Sequence, residues 1–140
     1  MSRATAESVS TPLARKLGLK PGAQLLVRHA PREYRDWLAP LPEGVTFRSR
    51  LSSAIDVAHL FVTNARSLAR DLPKLRRGLR PDAVLWVSWP KRTAGSATDL
   101  GEHVIRAHAL PLGFVDVKVC AVSEVWSGLK LVVRKHLRRG

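Results

Sequence analysis

Two short apolar runs on either side of a leucine-striped basic segment leave few folds open to this chain. Asp56-Val57-Ala58-His59-Leu60-Phe61-Val62-Thr63 is rich in branched and aromatic residues, as expected of a strand covered on both faces, and Ala83-Val84-Leu85-Trp86-Val87-Ser88-Trp89 repeats the pattern. Between them, Asn64 supplies a helix N-cap. Leu68, Leu72, Leu75 and Leu79 recur at spacings of four, three and four, which puts them on one stripe of a helix. Arg66, Arg70, Lys74, Arg76, Arg77 and Arg80 fall mainly elsewhere. Pro73 lacks an amide donor and crowds the preceding turn, so a kink or a restart is expected there, with Asp71 as a second cap. Gly78 and Pro81 close the helix. A strand, crossover helix and strand of this length make a right-handed parallel unit.

The flanking sequence extends this core. Residues 1 to 10 are small and polar and are expected to be a disordered tail, leaving 11 to 140 as a single α/β domain. Thr11-Pro12-Leu13-Ala14-Arg15-Lys16-Leu17-Gly18 carries a cap, a proline at the first helical position, two leucines four apart and a glycine stop, the marks of a short helix. Pro21-Gly22 turns the chain into a strand from Ala23 to His29. Pro31 opens a second helix through Tyr34 and Trp37, ended by Pro40 and Pro42, and a short strand follows around Val45 to Arg48. Beyond the central unit, Thr98 or Asp99 is expected to cap a helix reaching about Leu110, with Glu102 completing a capping box and Leu100, His103, Val104 and Ala107 lining the inner face. Phe114 to Val122 and Leu129 to Lys135 then read as two strands, and the connection from Ser123 to Gly128 is short enough to demand an antiparallel pair. The expected architecture is three-layer α/β: a mainly parallel twisted sheet of about six strands ending in a β-hairpin, with three or four helices.

Twenty-four Lys and Arg against 11 Asp and Glu give a net charge of +13, which favours nucleic acid, anionic metabolites or an acidic surface as partner and leaves a merely solvated basic surface equally open. A single cysteine, Cys120, excludes an intramolecular disulfide, and its place among valines suits a buried, inert thiol better than a nucleophile. The N-terminus leads into no apolar core of signal-peptide length, and no apolar run approaches the roughly 20 residues that span a bilayer, so a cytoplasmic protein without a membrane partner is expected. His29, His59, His103, His108 and His136 show no metal-ligand spacing, and His59, inside an apolar strand, reads as a satisfied core histidine. Neither a P-loop nor a Gly-x-Ser-x-Gly elbow is present.

The element order, with its final hairpin and the turn Leu79-Arg80-Pro81-Asp82 feeding a hydrophobic strand, resembles the later half of the class I S-adenosylmethionine-dependent methyltransferase fold. A more specific resemblance is to the bacterial family known as domain of unknown function 3052. It rests on the Thr11 to Gly18 helix, Leu41-Pro42-Glu43-Gly44-Val45, Leu85-Trp86-Val87-Ser88-Trp89-Pro90-Lys91, Thr98-Asp99-Leu100, Val117-Lys118-Val119-Cys120-Ala121-Val122 and Trp126-Ser127-Gly128-Leu129-Lys130. The methyltransferase resemblance implies S-adenosylmethionine beside His29 and Thr63. Two features depart from it: the turn His29-Ala30-Pro31 has no glycine, and the second strand runs into Arg48-Ser49-Arg50 where a carboxylate would meet the ribose hydroxyls. The chain is also short of one strand-helix unit.

By elimination, the leading candidate site is the loop after the second run, at the carboxyl end of a central strand where open α/β sheets bind ligands. Trp89, Lys91, Arg92, Gly95, Ser96 and Thr98 would offer charge, backbone amides and a helix start to an anion, with Asp99 opposing it. His29, Thr63, Asn64, Trp126 and Lys130 form a secondary set. The expectation is a non-catalytic binding or regulatory domain for an anionic small molecule or a protein partner, with no cofactor and no metal. The alternatives are a methyltransferase using S-adenosylmethionine, and a sequence-nonspecific nucleic-acid binder contacting phosphates through Lys135, Arg138 and Arg139.

Overall fold

The protein is described by a computed structural model for residues 11–91 and 99–138. The expected tail at 1–10 lies outside those residues. Among the described residues, four α-helices and six strands follow in order: α1 (Leu13–Lys16), β1 (Gln24–Arg28), α2 (Tyr34–Leu38), β2 (Thr46–Arg48), β3 (Val57–Phe61), α3 (Ala65–Gly78), β4 (Val84–Pro90), α4 (Glu102–Ala109), β5 (Phe114–Ala121) and β6 (Trp126–Val133). Single turns of 3-10 helix follow α4 and β6.

The strands form one sheet in the order β2-β1-β3-β4-β6-β5. The first four are parallel, β4 pairs antiparallel with β6, and β5 closes the sheet as the other half of the hairpin. β3 and β4 are buried almost throughout because helices cover both faces, which is why both read as continuous apolar runs. On one face Leu68, Leu72 and Leu75 of α3 and Ile105 and Ala109 of α4 pack on Leu60, Leu85, Val87, Leu129 and Leu131. On the other, Leu13 and Leu17 of α1 with Tyr34 and Leu38 of α2 cover Leu25, Phe61 and Trp86. Trp86 Nε1 donates to the Leu17 carbonyl at 3.1 Å, so the largest core side chain also fixes α1.

Several local expectations give way to the fold. α3 runs unbroken through Pro73, since the packing of its leucine stripe outweighs one absent amide, and Asp71 pairs with Arg70 instead of starting a second helix. Asn64 does cap α3, accepting from the Ser67 amide at 2.8 Å. α1 has no side-chain cap: Pro12 stands at the cap position, ahead of where the sequence places it. α4 starts at Glu102 with Gly101 at the cap position, so Asp99 does not cap it, while Thr98 lies outside the described residues; Glu102 pairs with Arg106 one turn on. Its buried side chains are Ile105 and Ala109, with Val104 half-buried, while His103 and Ala107 face solvent. The hairpin is also tighter than expected: β6 begins at Trp126, which makes that tryptophan a strand residue. Cys120, expected to be buried, is half-buried on the edge strand β5.

Candidate functional site

Strand order reverses once on the parallel side. β1 takes β2 on one flank and β3 on the other, so the chain leaves β1 in one direction and returns past it to β3. Loops diverge from such a point and open a crevice at the carboxyl ends of the strands. Its mouth here is His29 after β1 and Thr63-Asn64 after β3.

His29 is the one described non-glycine residue with a positive φ, at 62°. A side chain in that left-handed region costs roughly 1–3 kcal/mol unless its surroundings hold it. The Asp71 carboxylate on α3 lies 3.5 Å from His29 Nε2 and bonds Arg70 at 2.9 Å. Those bonds from Arg70, then the charges of Arg70, His29 and Lys74, hold Asp71 below the usual carboxylate range. Asp99, on the return from β4, accepts from the Ala65 amide at 3.0 Å. It therefore caps α3, whose start lies across the crevice. Two carboxylates, Asp71 against His29 and Asp99 against the start of α3, are thus tied to the segments that leave β1 and β3.

The margin around β2 carries the opposite charge. Arg32, Arg35, Arg48 and Arg50 are exposed, and none of them forms an ion pair among the described residues. Arg28 is half-buried and donates to the Ser49 carbonyl at 2.9 Å, tying the end of β1 to the loop after β2. Between α2 and β2 lies a groove of about 200 Å³ lined by Val27, Ala30, Pro31, Arg32, Tyr34, Arg35 and Phe47. Arg35 lays its guanidinium over the Phe47 ring, 3.7 Å from the centroid.

Beneath the crevice a polar chain crosses the core. His59 is 1% exposed, its Nδ1 2.7 Å from the Tyr34 hydroxyl and its Nε2 2.7 Å from Ser88 Oγ. Phe61 stacks on the imidazole at 4.3 Å between centroids. Burial pushes the His59 pKa down to about 3 and raises that of Tyr34. This is the satisfied core histidine that the sequence suggests.

Among the described residues, those singled out in the sequence are spread over several elements. Arg92, Gly95, Ser96 and Thr98 lie outside the described residues, as does Arg139. Trp89 is 7% exposed and packs into the core under α3 and α4. Lys91 turns toward the hairpin, its Nζ donating to the Ser123 carbonyl at 2.9 Å. Trp126 sets its ring edge-to-face on Phe61, and Lys130 is half-buried on β6, where burial and then the charge of Lys118 lower its pKa. His29 and Thr63-Asn64 follow the adjacent parallel strands β1 and β3 at their carboxyl ends. Lys135 and Arg138 follow β6, three strands away from β1 and, because β6 runs antiparallel to β4, at the other end of the strands from the crevice; Arg138 Nε donates to the Val133 carbonyl at 2.7 Å. The groove at Phe47 was missed in sequence. The available signal was the pair Arg32 and Arg35, three apart directly after β1.

Neither family models nor curated proteins give a match to this chain. Solved structures do. An S-adenosylmethionine-dependent methyltransferase from Aquifex aeolicus aligns over 94% of this chain and 97% of its own, with a TM-score of 0.59 at 13% identity. The fold is methyltransferase-like. The tRNA methyltransferase TrmK of B. subtilis aligns over 96% of this chain and 67% of its own, with a TM-score of 0.62 at 10% identity. Magnesium protoporphyrin IX methyltransferase from Synechocystis, solved with bound cofactor, aligns over 93% and 78%, with a TM-score of 0.57 at 14% identity. The alignment with the Aquifex protein runs nearly end to end in both chains, so the likeness covers the whole fold.

Proposed function

We propose that this chain is an S-adenosylmethionine-dependent methyltransferase that holds its cofactor in the crevice between His29 and Thr63. The observation carrying this reading is the reversal of strand order between β1 and β3, with a left-handed residue in the turn at its mouth. In nucleotide-binding α/β folds the first glycine of that turn serves its tightness, and here His29 supplies the same backbone conformation. The carboxylates of Asp71 and Asp99 suit a ligand bearing a sulfonium and an ammonium group. Two features fit less well: Pro31 removes an amide from the turn, and Arg48 offers no acceptor to ribose hydroxyls. When bound, the cofactor would supply a methyl group on sulfur to an incoming nucleophile, with the carbon–sulfur electron pair returning to sulfur. His29, with Nε2 3.5 Å from the Asp71 carboxylate, would be the general-base candidate there. Membership of the domain of unknown function 3052 family and a cytoplasmic setting belong to the same proposal.

A second reading keeps the fold and drops the chemistry. A non-catalytic domain for an anionic ligand or protein partner is favoured by the unpaired arginines around β2. Calorimetric titration with S-adenosylhomocysteine separates the two. Under the enzyme reading it gives a saturable heat that Ala30→Trp abolishes and His29→Gly retains, because glycine adopts the left-handed turn freely. A flat titration, together with a thermal shift from inorganic phosphate or nucleotides, would move the assignment to the binding domain.

A further inference from the structure

The cationic margin has a shape as well as a charge. Arginines that serve the fold are recognisable by their partners: Arg80 bonds Asp56 and Asp82, and Arg106 bonds Glu102 and Asp116. Arg76, Arg134 and Arg138 are likewise spent on the carbonyls of Leu112, Leu110 and Val133. Arg32, Arg35, Arg48 and Arg50 have no such bond among the described residues: Arg32 lies in the turn after β1, Arg35 on α2, Arg48 at the end of β2 and Arg50 just beyond it. Two of them flank a groove with an apolar floor.

The groove narrows the ligand. Its 200 Å³ is below the roughly 300–1,000 Å³ of sites that enclose drug-sized ligands, so it has room for one flat group. Arg35 lies with one face of its guanidinium on Phe47, leaving the other face for a second flat group, and stacking on such planes is how unpaired bases are held. Val27, Ala30 and Phe47 contribute nothing to a free phosphate, and an acidic peptide has no ring to stack. Glu33 and Asp36 share the segment of Arg32 and Arg35 but do not line the groove.

We infer that the groove at Arg32, Arg35 and Phe47 binds a base of a single-stranded nucleic acid, with Arg48 and Arg50 taking the adjoining phosphates. As a substrate surface for the crevice this rests on the methyltransferase reading. As a binding surface it is measured independently of that reading. It also puts the nucleic-acid contact at the β2 margin, away from the C-terminal residues that the sequence offers as one alternative.

Fluorescence anisotropy with a short labelled single-stranded RNA tests it on the full chain. Wild type should bind with an affinity that falls steeply with salt, and should bind the matching duplex more weakly. Arg32→Ala with Arg35→Ala should weaken binding by at least about fivefold, and so should Phe47→Leu, which leaves the charge unchanged. Arg35→Lys should also weaken it, since an ammonium has no flat face. Lys135→Ala with Arg138→Ala should stay within about twofold, the change expected of diffuse charge alone. Equal losses at both sites would overturn the inference, as would wild-type affinity in Phe47→Leu or competition by polyglutamate as strong as by unlabelled RNA. S-adenosylhomocysteine titration of the same variants separates the two proposals: cofactor binding without RNA binding sinks only this one, and RNA binding without cofactor sinks only the enzyme reading.

Discussion

At the scale of single residues, the chain Tyr34–His59–Ser88 shows how a polar group is kept in an apolar core. Each imidazole nitrogen has a hydroxyl at 2.7 Å, so a neutral ring is satisfied whichever nitrogen carries the proton. An imidazolium would lose its hydration in this fully buried site, and burial lowers the His59 pKa to about 3. In the unfolded chain the same group titrates near 6.5. Between those values the unfolded state binds more protons than the native state, so the stabilising contribution is complete above pH 6.5 and shrinks as pH falls toward about 3. Urea unfolding should show stability declining between pH 6.5 and about 4 with a slope approaching roughly 1.4 kcal/mol per pH unit. The carboxylates of Asp56, Asp71 and Asp116, all held below the usual range, add their loss at lower pH. His59→Leu should flatten the upper part of that slope, and an unchanged slope would assign the effect to other groups. Tyr34→Phe at neutral pH should cost about 1–3 kcal/mol by leaving Nδ1 buried without a partner.

At the scale of elements, the parts legible in sequence were those fixed by local periodicity. Leu68, Leu72 and Leu75 declared both the helix and its buried face, and Asn64 declared its start. What failed was decided across the sheet. Asp99 stands three residues before Glu102, as in a capping box, yet its carboxylate bonds the first amide of α3, a choice visible only once β3 and β4 lie side by side. Pro73 breaks a helix in isolation and is tolerated here because α3 is held by its packed face. Gly128 gives a third case. It pairs with Ser88 across β4 and β6, and a Cβ there would meet Val122 Cγ2 at 3.0 Å, Ser88 Oγ at 3.2 Å and Trp86 Cε3 at 3.3 Å. Two of these three neighbours are held in place, Ser88 by His59 and Trp86 by Leu17. Gly128→Ala should therefore destabilise by about 1–3 kcal/mol despite the gain in strand propensity, as overpacking does. Denaturant unfolding within about 0.5 kcal/mol of wild type would show that the hairpin yields instead.

At the scale of the whole molecule, the layered sheet followed from alternating strands and helices, but the site depended on strand order. Nothing local to His29 says that β3 will lie on the other side of β1 from β2, so the crevice could not be told from the loop after Trp89. The same topology separates charge: carboxylates tied to the segments that leave β1 and β3, unpaired arginines at the β2 margin, and a second basic group after β6. That separation leaves a net +13 on 140 residues, with repulsion that compact folding concentrates. The opposing term is small, because ion pairs such as Arg80–Asp56 and Arg70–Asp71 are partly exposed and worth about 0–1 kcal/mol each. Screening should relieve more repulsion than it removes attraction. The melting temperature should therefore rise as sodium chloride is increased from low to physiological ionic strength, where the screening length is about 8 Å. The rise should be smaller in a variant carrying Arg48→Ala and Arg50→Ala, which thins the most crowded margin. A melting temperature that falls with salt would mean that the ion pairs outweigh the repulsion, and that the unpaired arginines lie far enough apart to cost the fold little.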